Sequence, residues 1–343
     1  MVDLWTYLKS AKKPIVLYGM GNGADKTVNK LESLGIKIYG VFSSDGFKKN
    51  KTFRGMVVTD YKTIKEQFGE IIILVCFGSH LESVIENIKI LAKENELYAP
   101  DVAVCGEEIF DIDFAKKYSN ELKKVYSLLA DDISKKVFEN TVYFKLTGKI
   151  DYLFEIESKR SEVFKLLNLG KSETFLDLGA FTGDTVLEFI NVVGEYNKII
   201  ALEPDKRNYN RLVKNTENFK NIITINSAVN KCEDELYLTS NHSKGNSDFG
   251  KLVAVNATTI DLVSKEAQPS FIKIDVEGFE MKAIIGGEKT IKTLKPKMHI
   301  AAYHTPYDIF KIPLVINEMM PDYKIYMRHH PCIPAWDINY IFV

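Results

Sequence analysis

The stretch FLDLGAFTGDTVLEFINVVGEYNKIIALEP, residues 175–204, decides the fold of this chain. Its apolar start predicts a strand covered on both faces, and the turn that follows contains Gly179 and Gly183. Apolar residues at helical spacing after Asp184 predict an amphipathic helix, and Lys198–Leu202 predicts a second strand that ends at Glu203. These elements form a βαβ unit, and such units bind ligands at the carboxyl ends of their strands.

Glu203 lies at that edge, where a carboxylate can accept hydrogen bonds from both hydroxyls of a ribose. The alternative is an ordinary βαβ unit with an accidental acid. The turn lacks the third glycine of the dinucleotide pattern G-x-G-x-x-G, and Asp177 and Asp184 flank it. Acids beside a helix start disfavour a pyrophosphate but suit the sulfonium and ammonium groups of S-adenosylmethionine, which indicates a methyltransferase. The predicted cofactor-binding residues of this stretch are Asp177, Gly179, Ala180, Gly183, Asp184 and Glu203.

The second half of the chain carries further motifs. Residues 271–280 read FIKIDVEGFE, a helix is predicted over residues 281–293, and residues 298–304 read MHIAAYH. Together with DLGAFTGD and ALEPD, these segments resemble the FkbM family of S-adenosylmethionine-dependent methyltransferases over roughly residues 172–343. The DVEG-F-E segment is the most specific of them, because most methyltransferases share the glycine turn. The resemblance implies O-methylation of a sugar or of a polyketide or lipid-linked hydroxyl.

The catalytic candidates follow two neighbouring strands. Methyl transfer to a hydroxyl requires the oxygen to be held in line and its proton to be removed. Asp275 ends the predicted strand Phe271–Ile274, Glu277 follows on the turn, and His304 ends the next strand. We predict His304 as the general base, with Asp275 orienting either this histidine or the substrate, and a hydrogen-bonded structural histidine is the alternative. Asp275 and His304 could also bind a divalent cation, but two ligands without a third do not indicate a metal site, so no metal is predicted.

Three features have a weaker basis. Ser227 and Ala228 follow a strand predicted over residues 222–226, at the position where the adenine is expected in this fold. Glu277 and Glu280 are either part of the site or a solvated helix start that the helix dipole favours. The polar run over residues 240–248 either closes over the substrate or is a plain hairpin loop.

The N-terminal part repeats the strand–turn–helix plan. A strand over residues 14–18 precedes the turn GMGNGAD, residues 19–25, whose backbone N–H groups favour an anion. The next strand, over residues 36–42, is followed by Ser43 and Ser44. A dinucleotide site normally has an acid at the end of this strand, and Asp45 lies a few residues beyond that position. The segment is similar to the N-terminal nucleotide-sugar-binding domain of some bacterial sugar acyltransferases. Three roles for this segment remain open. It binds a nucleotide sugar or a similar phosphorylated ligand, it binds NAD(H), or it is a purely structural Rossmann-like fold.

We therefore predict an α/β fold with two Rossmann-like units, of which the C-terminal one is a class I methyltransferase domain with a seven-stranded sheet. The predicted boundaries are 1–106 for the N-terminal domain, 107–170 for a helical bridge and 171–343 for the methyltransferase domain. A non-catalytic nucleotide-binding protein is the alternative function, and an NAD-dependent oxidoreductase is a more distant one.

Composition limits the partners. A formal net charge of −1 argues against nucleic acid, which selects a basic surface. The four cysteines are far apart without a CxxC pair, which argues against a zinc site or a disulfide framework. The N-terminus lacks an apolar stretch of signal-peptide length, and the longest aliphatic run, residues 71–77, is too short to span a membrane. We expect a cytoplasmic protein that acts on a small-molecule or carrier-linked hydroxyl substrate, with its oligomeric state left open.

Overall fold

The computed structural model describes residues 2–44, 51–239 and 252–343. In chain order, its strands are β1 (Ile15–Tyr18), β2 (Gly40–Phe42), β3 (Thr52–Phe53), β4 (Met56–Thr59), β5 (Ile72–Val75), β6 (Glu96–Tyr98), β7 (Thr174–Leu178), β8 (Lys198–Leu202), β9 (Ile222–Ile225), β10 (Ala228–Val229), β11 (Asp234–Thr239), β12 (Leu252–Thr258), β13 (Phe271–Ile274), β14 (Lys297–Ala301), β15 (Ile325–His329) and β16 (Ile338–Phe342).

The helices occupy the connections between these strands and a long central segment. In chain order, they are α1 (Leu4–Ser10), α2 (Asn22–Ser33), α3 (Tyr61–Phe68), α4 (Glu82–Glu94), α5 (Ile112–Lys117), α6 (Ser119–Leu128), α7 (Asp132–Thr147), α8 (Asp151–Phe154), α9 (Arg160–Leu167), α10 (Asp184–Val193), α11 (Lys206–Thr216), α12 (Ile260–Ala267), α13 (Glu280–Ile285), α14 (Glu288–Leu294) and α15 (Asp308–Met319). None of the helices in the described residues is long and apolar enough to cross a membrane.

The first sheet has the strand order β3-β4-β2-β1-β5-β6. Strand β1 pairs in parallel with β2 on one side and with β5 on the other, so the chain changes direction across the sheet at β1. In an open parallel sheet this switch point is where ligands bind. The strand predicted over residues 36–42 is shorter in the structure, because the Ile36 N–H donates to the Leu31 carbonyl and thereby ends α2.

The second sheet has the order β15-β16-β14-β13-β7-β8-β9. Strands β14, β13, β7, β8 and β9 run parallel, and β16 is antiparallel to both β14 and β15. This arrangement confirms the predicted α/β fold with a seven-stranded C-terminal sheet. The carboxyl ends of β7, β8 and β13 meet at one edge, which brings the strand-end residues together. A smaller sheet, β10-β12-β11, lies outside this core.

The helix predicted over residues 281–293 is two helices, α13 and α14, separated at Gly286 and Gly287. A Cβ atom on Gly286 would lie 2.3 Å from the Asn230 carbonyl oxygen, and one on Gly287 would lie 2.8 Å from Cβ of Ile260. The backbone therefore bends where it packs closely against neighbouring segments, and only glycine fits such an approach.

The central helices pack against both sheets. The Arg328 guanidinium of β15 pairs with Asp131 at 2.7 Å, and Asp131 caps the N-terminus of α7. A continuous cluster of buried apolar side chains runs from Val16 in the first sheet through Phe144 of α7 to Ile274 in the second sheet. The boundaries at residues 106 and 170 stay predictions, since this cluster crosses both of them.

Candidate active site

The turn after β7 is held between β8 and β13. The N–H groups of Gly179 and Ala180 donate to the Leu202 carbonyl oxygen at 3.0 and 2.9 Å. Gly179 has a φ of 80°, and a Cβ atom there would lie 1.8 Å from the Asp275 carbonyl oxygen. Gly183, also left-handed at a φ of 89°, immediately precedes α10. Backbone contacts on both sides therefore leave no room for a side chain at Gly179.

Glu203 lies where the sequence predicted it, at the end of β8. Its residue is 6% exposed, and its two carboxylate oxygens accept hydrogen bonds from the N–H groups of Phe181 and Asp205 at 2.9 and 3.0 Å. Burial raises the pKa of Glu203 to about 7, although these backbone N–H groups oppose the shift. A carboxylate has about four lone-pair positions, so Glu203 keeps capacity for hydroxyl donors after holding the turn.

Asp177 is buried beside a lysine that contacts the glycine turn. Its residue is fully buried on β7, next to Lys273 on β13, whose Nζ lies 3.4 Å from Asp177 Oδ1. Burial raises the pKa of Asp177 to about 6, and the Lys273 charge opposes that shift. The same ammonium donates to the Gly179 carbonyl at 3.1 Å. The contacts of Asp177 are thus with the lysine that holds the turn, and a direct contact with a cofactor stays a prediction.

Sequence reasoning missed two side chains that fix this half of the site. Lys273 is one of them, and the signal for it was a lysine within the apolar strand FIKI. Asn226 is the other: its side-chain amide donates to the carbonyl oxygens of Glu203 and Pro204 at 2.8 and 2.9 Å. It ties the end of β8 to the end of β9, and nothing in the sequence pattern distinguished it.

The remaining predicted cofactor residues lie on either side of Glu203. Asp184 is exposed in the first turn of α10. Ser227 and Ala228 are buried after β9, and the Ser227 hydroxyl is within hydrogen-bond distance of the carbonyl oxygens of Ala228 and Asn256, at 3.0 and 2.9 Å. The hydroxyl proton is already used by backbone carbonyls. The predicted contact between Ser227 and the adenine therefore depends only on the location of Ser227 after β9.

The three predicted catalytic residues come together at the ends of β13 and β14, and Glu280 joins them. His304 Nε2 lies 3.6 Å from Asp275 Oδ1 and 3.5 Å from Glu277 Oε2. His304 Nδ1 lies 2.9 Å from Glu280 Oε1, but neither ring nitrogen has the alignment of a hydrogen bond. Glu280 is 1% exposed, so it is not the solvated helix start that was the alternative for it.

Charges in this cluster shift its pKa values. Burial lowers the pKa of His304, but Glu280, Asp275 and Glu277 outweigh that effect and raise it to about 10. Burial also opposes ionisation of Asp275, whose pKa is nevertheless lowered by Lys273 and His304. The side chain of Asp275 is 34% exposed, whereas that of His304 is 1% exposed. Of the two residues, Asp275 is the one that a substrate can reach directly.

A loop from the N-terminal half covers this cluster. The Cys105 N–H donates to the His304 carbonyl at 2.8 Å, and the Cys105 thiol donates to the Glu277 carbonyl at 3.2 Å. Lys26 of α2 donates to the carbonyl oxygens of Ala103 and Gly106, both at 2.8 Å. The helix that follows the N-terminal glycine turn is therefore connected to the catalytic candidates through one short loop.

Glycine is needed in the N-terminal turn as well, where a Cβ atom on Gly23 would lie 2.6 Å from the Cys76 carbonyl oxygen. Gly19 has a φ of 103°, and a Cβ atom there would lie 2.5 Å from Cδ1 of Phe77. Gly21, with a φ of 118°, precedes α2 without a capping side chain. Asp45, on which the dinucleotide alternative depends, and the run over residues 240–248 lie outside the described residues. The ligand of this turn stays open.

The residues that follow the carboxyl end of β5 are covered by the C-terminal half of the chain. Ser79 and Ile333 exchange backbone hydrogen bonds of 2.8 and 3.0 Å. A Cβ atom on Gly78 would lie 2.2 Å from Cε3 of Trp336. The carboxyl edge of the first sheet therefore meets residues that follow β15 of the second sheet.

Residues 177–330 match the methyltransferase FkbM domain family. The crystal structure of a methyltransferase FkbM from Methylobacillus flagellatus KT is similar over 96% of this chain and 90% of that chain, with a TM-score of 0.73 and 19% identity. This similarity shows that the two chains share a fold, including the N-terminal sheet and the central helices. No curated protein matches the sequence.

Other methyltransferase structures are similar over about half of the chain. Precorrin-6y C5,15-methyltransferase from Geobacter metallireducens GS-15 has a TM-score of 0.34 and 14% identity over 55% of this chain and 86% of that chain. Aeropyrum pernix fibrillarin, in complex with S-adenosyl-L-methionine, has a TM-score of 0.33 and 13% identity over 53% and 73% of the two chains. At these TM-scores the likenesses carry no weight for function.

The family match defines residues 177–330 as a methyltransferase domain. That domain, which spans a little under half of the chain, belongs to the FkbM methyltransferase family.

Proposed function

We propose that this chain is an S-adenosylmethionine-dependent O-methyltransferase that acts on a hydroxyl of a sugar or a similar acceptor. The observation that carries the proposal is the contact between the glycine turn and the catalytic candidates. A Cβ atom on Gly179 would lie 1.8 Å from the backbone carbonyl oxygen of Asp275, so the turn packs directly against this residue, and a donor bound along the turn would have its reactive end beside Asp275. Proximity of this kind supplies much of the rate in a displacement reaction.

The donor would bind along the edge formed by β7, β8 and β9. Glu203 would accept hydrogen bonds from the ribose hydroxyls, and the backbone at Gly179, Ala180 and Gly183 would lie against the donor. Asp184, exposed at the start of α10, would interact with its cationic end. Ser227 and Ala228 would lie near the adenine.

The acceptor hydroxyl would bind at Asp275. As the methyl carbon forms a bond to the acceptor oxygen and leaves sulfur, the hydroxyl proton passes to a base. Asp275 is partly exposed and ionised, whereas the His304 ring is buried behind it. We therefore assign the contact with the hydroxyl to Asp275 and the positioning of Asp275 to His304. His304 as the base remains the alternative from the sequence.

The N-terminal sheet would recruit the acceptor. Its glycine turn suits a phosphate, and the Lys26 contacts connect the following helix to the loop over His304 and Glu277. A nucleotide sugar or another phosphorylated carrier would combine a phosphate for the turn with a hydroxyl for Asp275.

Donor binding is the first test. Titration calorimetry of the full chain with S-adenosylmethionine should show binding, and Glu203→Gln should weaken it by about 2–3 kcal/mol because charge-assisted hydrogen bonds are lost. Glu195→Gln, at an exposed position outside the site, is the matched control. Equal affinity of both variants removes Glu203 from the site, and no binding to the unaltered chain refutes donor dependence. Methyl transfer to nitrogen or carbon instead of oxygen would refute O-methylation.

A further inference from the structure

Three side chains of the catalytic cluster form a candidate cation site. Asp275 follows β13, Glu280 begins α13, and His304 follows β14. Each offers one ligand atom, and these atoms lie within 4.8 Å of one another. An ion with bonds of about 2.0–2.4 Å to its ligands can span that separation.

Several atoms of this cluster are buried without a hydrogen-bond partner. Both ring nitrogens of His304 and the Oε2 atom of Glu280 are in this state, while Glu280 Oε1 accepts a hydrogen bond from the Val276 N–H at 2.8 Å. His304 is 0% exposed and Glu280 is 1% exposed. Unpartnered polar atoms at such depth carry a desolvation cost, and a bound ion reduces it by coordinating one ring nitrogen of His304 and one carboxylate oxygen of Glu280.

The charged side chains around the cluster also favour a bound cation. Glu277 adds a carboxylate whose Oε2 lies 3.5 Å from His304 Nε2, and the buried Asp308 interacts electrostatically with Glu280 and His304. The Lys273 ammonium is a nearby side-chain cation, 3.8 Å from Asp275 Oδ2, but it is nearer to Asp177 at 3.4 Å. Acids are in excess, and a divalent cation would balance them.

We infer that Asp275, Glu280 and His304 bind a divalent cation of the Mn²⁺ type. Carboxylate oxygens suit Mg²⁺, Ca²⁺ and Mn²⁺, whereas imidazole nitrogen suits the transition metals, so a mixed set of this kind favours Mn²⁺ among the hard cations. Glu277 is the nearest further side chain that can complete the ligand set. An acceptor oxygen beside Asp275 would contact the same ion, and only this last point rests on the proposed function.

Electron paramagnetic resonance tests the site with Mn²⁺ alone, on the full chain and without a methyl donor. Titration should show that the chain takes up a single Mn²⁺ ion with saturation. Spin-echo modulation should show coupling to an imidazole nitrogen. Glu280→Gln and Asp275→Asn should each weaken binding by at least about tenfold, since even residues that only support metal ligands contribute that much.

Matched controls separate this site from adventitious binding. Glu288→Gln and His80→Gln change an exposed acid and an exposed histidine elsewhere in the chain, and both should bind Mn²⁺ as tightly as the unaltered chain. Melting curves identify any variant that does not fold, in which case the partly exposed Asp275→Asn decides the outcome. Weak, unsaturable uptake, equal affinity in the variants, or no nitrogen coupling would overturn the inference.

The inference and the proposed function can fail separately. Saturable Mn²⁺ binding that the two ligand variants weaken supports the cation site even if S-adenosylmethionine does not bind. Donor binding without Mn²⁺ uptake refutes the cation site and leaves the proposed function intact.

Discussion

The glycine turn after β7 and the glycine turn after β1 each connect a buried strand to a helix, but the strand ends around them differ. Beside the first turn, β8 ends at Glu203 and β13 ends at Asp275. Beside the second, β2 is followed by Ser43 and β5 by Cys76. The parallel strands occupy equivalent positions in the two sheets.

This difference shows that the strand–turn–helix arrangement alone does not determine which ligand binds or which reaction is catalysed. Parallel sheets place ligands at the carboxyl edge whatever the sequence, so the few residues just beyond each strand decide what binds. The second sheet has carboxylates at these positions, which suit ribose hydroxyls and a cationic donor. The first sheet has a hydroxyl and a thiol, which leave the backbone N–H groups of its turn as the main polar feature.

The largest expected effect concerns catalysis at the second edge. Asp275→Asn should lower kcat by about 10²–10⁴-fold, because the amide cannot accept the proton of the hydroxyl. The affinity for S-adenosylmethionine should change little, since Asp275 lies at the acceptor side of the turn. Single-turnover rates and calorimetry measure the two quantities, and Asp322→Asn at an exposed position is the control. A loss no larger than in that control would remove Asp275 from the chemistry.

His304→Asn separates the two roles that remain for this histidine. As a positioning residue it should lower kcat less than Asp275→Asn does, and the loss of buried polar contacts should cost about 1–3 kcal/mol of stability. A general base predicts the reverse: a kcat loss as large as that of Asp275→Asn without a matching change in melting temperature. Rates per folded molecule, measured beside melting curves, distinguish these outcomes.

The third prediction compares the two turns directly. Gly179→Ala should destabilise the chain by about 2–5 kcal/mol, because the left-handed backbone disfavours alanine and the new methyl meets the Asp275 carbonyl. Gly19→Ala should cost only about 1–2 kcal/mol, because its methyl meets the Phe77 ring, which can move. Denaturant unfolding measures both values, with Gly170→Ala in open space as the control. Equal costs at the two turns would contradict this steric distinction.

The fourth prediction uses a histidine at the edge of the second sheet. His329 is fully buried with both ring nitrogens unpartnered, and burial, together with His330, lowers its pKa to about 3. Below its ordinary pKa the unfolded chain binds a proton that the folded chain does not, so stability from this residue falls as pH falls. Between pH 6.5 and 5, the free energy of unfolding should fall by about 2 kcal/mol because of this residue.

His329→Leu lacks that titration. Its stability relative to the unaltered chain should therefore improve by about 2 kcal/mol as the pH falls from 6.5 to 5. Denaturant unfolding at both pH values gives the difference, and His80→Leu, at an exposed position beyond β5, should show no such improvement. Parallel pH curves for the unaltered chain and His329→Leu would show that His329 does not stay neutral in the folded chain.

Local patterns predicted much of the second sheet. Strands β8 and β13 begin and end where the apolar runs predicted them, since each run is bounded by polar or turn residues. The convergence of Asp275 and His304 also followed from the sequence, because neighbouring parallel strands end at the same edge.

What the sequence did not reveal depends on contacts between distant segments. The sequence left Glu280 open between the site and a solvated helix start, and only the packing of α13 beside His304 buries it. The split between α13 and α14 arises from the approach of Asn230 to Gly286. Cys105 reaches Glu277 across 172 positions of the chain, which no local periodicity encodes.

The smallest expected effect on the methyltransferase site comes from the other turn. Gly21→Val should abolish binding of an anionic ligand at the N-terminal turn, because a β-branched residue cannot adopt the φ of 118° at the start of α2. The affinity for S-adenosylmethionine should stay within about twofold, since the proposed donor site lies in the other sheet and changes at distant sites without shared contacts are independent to within about 0.5 kcal/mol.

Thermal-shift measurements with nucleotide sugars, NAD(H) and NADP(H) identify the ligand class of this turn. A ligand present at about 100 times its Kd should stabilise the unaltered chain by about 2.7 kcal/mol and leave Gly21→Val unchanged. An increase in melting temperature with NAD(H) alone would show that the ligand of this turn is a dinucleotide and not a nucleotide sugar. If no anion changes the melting temperature, the first sheet serves only to hold the loop at Cys105 against His304, and the two turns share a backbone plan without sharing a binding function.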